Sequence, residues 1–192
     1  MENSFYSLIF RQKYIRRWGL MRSTHDETLA EHASEVAIIA HAIAIIGNKH
    51  FGRDYDTDRV LTIALFHDVS EVYTGDLPTP IKYHSQRMRD IYRDIESESL
   101  STLLLHLPED LRDVYSEILY TDDEPCYPVV KAADKLCAYI KCIDEEKIGN
   151  YEFTSAKEAL FAQISERELP EVKYFVEHFL PTFYLSLDEM QN

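Results

Sequence analysis

The segment Arg59-Val60-Leu61-Thr62-Ile63-Ala64-Leu65-Phe66-His67-Asp68 is apolar for most of its length and ends on an adjacent histidine and aspartate. Its apolar residues recur with helical spacing, and Thr57 just upstream is a suitable N-cap. Neighbouring side chains on a helix point about 100° apart, so His67 and Asp68 can serve one centre only where the helix ends. The pattern predicts a helix with both groups presented at its far end. Glu71, three residues beyond Asp68, falls near them if the helix continues.

Two other helices carry groups that could meet this pair. Thr28-Leu29-Ala30-Glu31 has the spacing of a capping box, which predicts a helix from Thr28 to about Ile46. His32 sits in its first turns, in line with Val36 and Ile39, and faces inward. Downstream, a helix opens near Pro128 and runs through Ile140, with Asp134 on the same face as Val130, Cys137 and Ala138. A carboxylate on an apolar stripe costs several kcal/mol unless something positive lies opposite it. Further helices are predicted over about 85–106, 108–120, 154–166 and 171–179, besides an amphipathic first helix ending at Trp18. With no useful run of strand-like alternation and only 5 Gly and 7 Pro, the chain reads as all-α.

Taken singly, each polar group has an ordinary reading. An inward histidine is more often a hydrogen-bonded core residue, Glu71 a solvated helix residue, and Asp134 the partner of a buried cation. Together, His32, His67-Asp68 and Asp134 in this order form a set that can hold a metal ion and support a hydrolysis.

The chain resembles the HD-domain phosphohydrolases, and among them the YfbR-type 5'-deoxynucleotidases. The stretches that carry the resemblance are Arg16-Arg17-Trp18 with Leu20-Met21-Arg22, Glu31-His32, His67 to Val72, Thr74 to Pro80, Lys131 to Cys142, and Leu185 to Glu189. Gly19 stands where relatives carry proline, which bears on the rigidity of the Trp18 loop. The resemblance implies an HD-domain helical bundle over 1–192 as a single domain, with a metal site between helices. It implies that His32, His67, Asp68 and Asp134 ligate one divalent cation. Their mixed nitrogen and oxygen character independently suits cobalt, manganese, iron or nickel with positions left for water and phosphate, cobalt or manganese foremost. Glu71 is the implied catalytic acid or base, or the group that orients the water.

The same resemblance implies that Arg17, Trp18, His32, Asp76, Leu77, Pro78, Thr79 and Asp134 contact a deoxyribonucleoside 5'-monophosphate. Arg17 would offer a fork to phosphate oxygens, Trp18 a flat surface, and Asp76 an acceptor for the 3'-hydroxyl at a site that excludes a 2'-hydroxyl. Read without the family, Trp18 could equally be a core anchor and Asp76 a plain turn residue. Two other functions stay open at this point: another HD reaction, on nucleoside triphosphates or cyclic nucleotides, and a non-catalytic nucleotide-binding protein. A triphosphate would need further cations around the pocket, and the sequence offers few obvious candidates.

Composition bounds the partners. A formal net charge of −14 argues against a nucleic-acid duplex, which demands a basic face. The basic cluster Arg11, Lys13, Arg16, Arg17 and Arg22 is either a local positive focus or a solvated helix face. Cys126, Cys137 and Cys142 make an odd number with no C-x-x-C pair, which points to a reducing, cytoplasmic setting. No apolar run is read as approaching the length of a membrane helix. Tyr6, Phe10, Phe179, Phe183 and Tyr184 are candidates for a subunit interface, and the resemblance implies a homodimer.

Overall fold

The computed structural model describes residues 3–82 and 84–191, and within that set the Thr79 side chain is not described. The described residues contain no β-strand; the one extended pairing is an isolated antiparallel bridge between Arg16 and Thr28. Three long helices build the centre: α2 (Leu29–His50), α3 (Thr57–Phe66) and α8 (Tyr127–Lys147).

The start of α2 is set by the capping box foreseen in the sequence. Thr28 Oγ1 accepts from the Glu31 amide at 3.2 Å, and Glu31 Oε2 accepts from the Thr28 amide at 2.7 Å. The helix then buries Val36, Ala37, Ala40, Ile43 and Ala44 between α3 and α8, and it extends four residues past the expected end to His50. In α3 the cap is Asp56, not Thr57: Asp56 Oδ1 accepts from the Arg59 amide at 3.0 Å. Thr57 is already helical. In α8 the proline is near the first position, where its missing N–H costs nothing, and Val129, Val130, Ala132, Ala133, Leu136 and Ile143 are buried.

α10 (Pro170–His178) closes the main core with Val172 and Phe175. A smaller apolar cluster gathers Phe5 from α1 (Phe5–Ile9), Val69, Leu103 from α6 (Gln86–Leu104), Leu107, and Leu119 from α7 (Glu109–Leu119). α6, α7, α9 (Thr154–Ser165) and α10 lie within one or two residues of their expected bounds.

Three expectations need correction. The first helix does not reach Trp18: α1 is short, a 3-10 turn follows over Phe10–Tyr14, and Trp18 sits in a loop with φ of 59°. The α3 helix does not continue to Glu71. Tight turns intervene, with the Val69 amide on Phe66 O and the Glu71 amide on Asp68 O, and Glu71 opens a separate turn, α4 (Glu71–Thr74). Finally, α2 is long and apolar enough to cross a membrane by length and composition, contrary to expectation, but 56% of its most apolar stretch is buried inside the fold. Of the proposed interface aromatics, Tyr6, Phe10, Phe179 and Tyr184 are exposed, whereas Phe183 packs against the main core.

Candidate metal and phosphate site

The end of α3, the first turn of α2 and the middle of α8 converge, and they bring His67, Asp68, His32 and Asp134 together. Nε2 of His67 lies 3.0 Å from Asp68 Oδ2, and Nε2 of His32 lies 3.9 Å from that oxygen and 3.2 Å from Asp134 Oδ1. Ligands about 2.1 Å from one octahedral ion stand about 3 to 4 Å apart, so these separations fit a shared cation.

The histidine tautomers agree with that fit. His67 Nδ1 donates to the Ala64 carbonyl at 2.7 Å, as the carbonyl can only accept. Its Nε2 lone pair is then buried against a carboxylate without a hydrogen-bond partner. A lone pair facing a carboxylate is repulsive, so the approach requires a positive centre between them, a metal ion or, without one, a proton. His32 differs: its Nε2 is hydrogen-bonded to Asp134 Oδ1 at 3.2 Å, while its Nδ1 lies 3.2 Å from Glu27 Oε1 without hydrogen-bond alignment. Metal-bound histidines commonly have such an outer carboxylate.

The charges are held from outside the cluster. Burial works against ionisation of Asp68 and Asp134. His67 and Lys131 nonetheless hold Asp68, and His32, Lys135 and Lys131 hold Asp134, well below the usual carboxylate range. Burial and Arg17 oppose a proton on His32, but Asp134 and Glu27 outweigh them and raise it above the ordinary imidazole value. Glu71 is 4% exposed, and burial, then the charges of Asp68 and Asp76, push its carboxyl up to about 9. Its Oε2 has no hydrogen-bond partner, while Oε1 accepts weakly from the Tyr92 hydroxyl at 3.5 Å.

Arg17 departs from the solvated-face reading. Its side chain is 11% exposed, with Nε 3.3 Å from Glu27 Oε1 and Nη1 3.7 Å from Asp68 Oδ2 and 3.9 Å from Asp76 Oδ1. The rest of that basic cluster faces solvent. Asp76 is more than a turn residue: Oδ2 accepts from the Trp18 amide at 3.3 Å, across 58 positions of sequence. Gly75 makes this approach possible by adopting φ of 71°, which side chains rarely tolerate. Trp18 donates its indole N–H to Glu27 Oε2 at 2.7 Å and meets Phe153 edge-on at 5.3 Å. Leu77 and Pro78 follow in the same loop, half-buried.

A cavity of about 780 Å³ opens beside His67 and Asp68, a size suited to a small ligand. Lys82, Arg89, Arg93 and Lys131 line it, so the cations that the sequence seemed to lack are present. Burial disfavours the charge on Lys131, but Asp68 and Asp134 raise its pKa above the usual lysine range. Sequence reasoning missed Lys131 because it reads as one more residue of an α8 turn. It missed Glu27 because an acid just before a helix cap looks like ordinary dipole complementation.

The sequence of residues 4–183 matches the family model described as 5'-deoxynucleotidase YfbR-like. The chain belongs to the YfbR-like 5'-deoxynucleotidase family. Among its relatives, a 5'-deoxynucleotidase of Vibrio parahaemolyticus is 43% identical over 191 residues, covering 98% of each chain. The 5'-deoxynucleotidase YfbR of Escherichia coli is 42% identical over 195 residues, covering 100% of this chain and 97% of its own. The fold matches that of an HD-domain phosphohydrolase from Listeria innocua, with a TM-score of 0.84 at 22% identity over 98% of this chain and 92% of the other. It also matches a cyanophage S-2L HD phosphohydrolase solved with dA and one catalytic Zn2+, with a TM-score of 0.66 at 18% identity, covering 95% and 98%. The HD-domain bundle expected from the sequence is the fold observed.

Proposed function

We propose that this protein is a metal-dependent phosphoric monoester hydrolase that converts deoxyribonucleoside 5'-monophosphates to deoxyribonucleosides and phosphate. Membership of the YfbR-like family supports the reaction class. The observation that carries the site assignment is the buried, unpartnered Nε2 of His67, 3.0 Å from Asp68 and backed by a committed Nδ1.

In this reading His32, His67, Asp68 and Asp134 hold one divalent cation, with cobalt or manganese the preferred ions for a mixed nitrogen and oxygen set. Such a cation, when bound, lowers the pKa of a water and offsets charge gathering on the phosphoryl oxygens. Arg17, pinned by Glu27, offers its remaining N–H groups to those oxygens and fixes the phosphate for in-line attack. Glu71, holding its proton near neutral pH, protonates the 5'-oxygen as the P–O bond breaks, and so serves as the catalytic acid.

Asp76 accepts from the 3'-hydroxyl with the oxygen not engaged by Trp18, and Trp18 with the Asp76–Leu77–Pro78 loop closes the space a 2'-hydroxyl would need. His32 and Asp134 border the phosphate as well as the cation. Thr79 belongs to the same proposed subsite, although its side chain lies outside the described residues. We read residues 1–192 as one catalytic unit, cytoplasmic, acting as a homodimer on a small nucleotide, without a nucleic-acid or membrane partner.

The test is phosphate release from matched deoxyribo- and ribonucleoside 5'-monophosphates, with chelator-stripped protein resupplied with one metal at a time. Metal-dependent release confined to the deoxy series is the expected result. Release from both series would remove the sugar check, and release from triphosphates alone would assign Lys82, Arg89, Arg93 and Lys131 to a longer phosphate chain.

A further inference from the structure

The carboxylate of Glu27 touches three groups that the proposed function assigns to different tasks. Oε1 lies 3.2 Å from Nδ1 of His32 and 3.3 Å from Nε of Arg17, charge contacts without hydrogen-bond alignment, while Oε2 accepts the Trp18 indole N–H at 2.7 Å. The side chain is 7% exposed, so water competes little for these contacts. Its position is fixed from the backbone as well. The Arg17 amide donates to Glu27 O at 2.9 Å, the Leu29 amide donates to Ile15 O at 2.9 Å, and Arg16 pairs with Thr28. The loop carrying Arg17 and Trp18 is thereby clamped to the start of α2, one turn before His32.

Resting on the reading above, we propose that Glu27 is a positioning residue that couples the cation-holding face of the site to its substrate-holding face. On one side its charge, 3.2 Å from Nδ1 of His32, favours the proton on that nitrogen and so leaves the Nε2 lone pair for the cation. On the other it fixes the planes of the Arg17 guanidinium and the Trp18 indole, neither of which is a ligand. A change at the cation must therefore be felt at Trp18, and by linkage a nucleotide held by Arg17 and Trp18 must strengthen cation binding by the same factor that the cation strengthens nucleotide binding.

Trp18 is the only tryptophan in the chain, so intrinsic tryptophan emission reports on this one side chain. Zinc is the probe of choice, because its closed shell does not quench fluorescence as cobalt or manganese would. In the metal-stripped wild type, zinc titration is expected to change Trp18 emission with the same midpoint as zinc affinity measured by competition with a chromogenic chelator. In Glu27→Gln the charge is lost while the shape is kept. Zinc affinity is then expected to fall about 10- to 100-fold, and emission at saturating zinc should no longer differ from the metal-free value.

Glu171→Gln, at a buried carboxylate on α10 that accepts from Tyr55, serves as a control for general destabilisation. It is expected to lower Tm while leaving both zinc readouts unchanged. Wild-type affinity in Glu27→Gln, a retained emission response, or equal losses in the control would overturn the proposal. If Glu27→Gln does not fold, the wild-type titration still decides: zinc that binds without changing Trp18 emission excludes the coupling. None of these readouts requires nucleotide hydrolysis, so an inactive wild type would count against the proposed function and leave this test intact.

Discussion

At the scale of single residues, the site is a cluster whose charges balance only when something positive occupies its centre. The carboxylates of Asp68 and Asp134 approach the inward Nε2 atoms of His67 and His32 to between 3.0 and 3.9 Å, and without a metal ion a proton on His32 is the substitute that the geometry favours. The sign of the pH effect follows. A histidine whose folded pKa is raised contributes stability fully below its ordinary value of about 6.5, and that contribution is lost as pH rises through the raised value. Glu71 acts in the same direction: held protonated up to about 9 in the fold, it costs the native state progressively more as pH climbs from the unfolded carboxylate range. Metal-stripped protein is therefore expected to lose Tm between pH 5 and 9. Metal affinity is expected to rise over the same interval, because binding must displace the His32 proton. Calorimetric scans with and without zinc across that range check both slopes. Removing the acid tests its role directly: Glu71→Gln should lower kcat about 100- to 10,000-fold, with nucleotide and metal affinity largely kept. Unchanged turnover would assign the proton to another group.

At the scale of elements, the helices are held in register by buried polar contacts as well as by apolar packing. Glu145 on α8 accepts from Lys141 at 2.6 Å, from Asn150 at 2.7 Å, and from both the amide and hydroxyl of Thr24. It thereby ties the segment after Trp18 to the helix that carries Asp134. Burial opposes its charge, but these donors, Lys141 first, bring its carboxyl down to about 2. The stability that it supplies is present above the unfolded carboxylate pKa and lost as pH falls toward 2. Glu145→Gln should flatten the acid limb of the stability curve, as measured by urea unfolding at pH 3 and pH 7.

Gly47 has a packing reason: a Cβ there would come 2.8 Å from Cε2 of Tyr55. That ring cannot move away freely, because its hydroxyl is bound to Glu171 at 2.6 Å and its backbone to Asn48. Gly47→Ala gains up to about 1 kcal/mol in helix propensity but should lose about 1 to 3 kcal/mol to overpacking. Urea unfolding should show net destabilisation.

At the scale of the whole molecule, an anionic substrate meets a protein of formal charge −14. The positive groups that would receive a phosphate, Arg17 and Lys131, are recessed behind that shell, so the long-range field repels what the site binds. Screening removes repulsion at a distance sooner than it weakens a buried contact, and the Debye length falls from about 30 Å at 0.01 M to about 8 Å at 0.15 M. The expected outcome is a kcat/KM for nucleotide that rises across that range of sodium chloride. A steady fall would mean that the local cations outweigh the shell.

Much of this protein was legible in its sequence, because the legible parts are local. A capping box, a helical apolar period and a proline at a first turn act over a few residues, and they set the starts of α2, α3 and α8 within a residue, although α8 runs seven residues past Ile140 to Lys147. The order His32, His67-Asp68, Asp134 marked the cluster, since ligands on three apolar helix faces have few other uses. Tertiary structure decided what depends on groups far apart in the chain. The turn after His67 replaced the expected continuation of α3, because Val69 packs into the smaller apolar cluster with Phe5 and Leu103. Arg17 became an internal cation because Glu27, Asp68 and Asp76 surround it from three separate segments. Glu27 itself carries no mark in the sequence to distinguish it from Glu31, which merely caps α2. What separates them is burial: among the described residues the Glu27 carboxylate faces His32, Arg17 and Trp18 with little water to screen it, and nothing short of the folded chain brings those three to it.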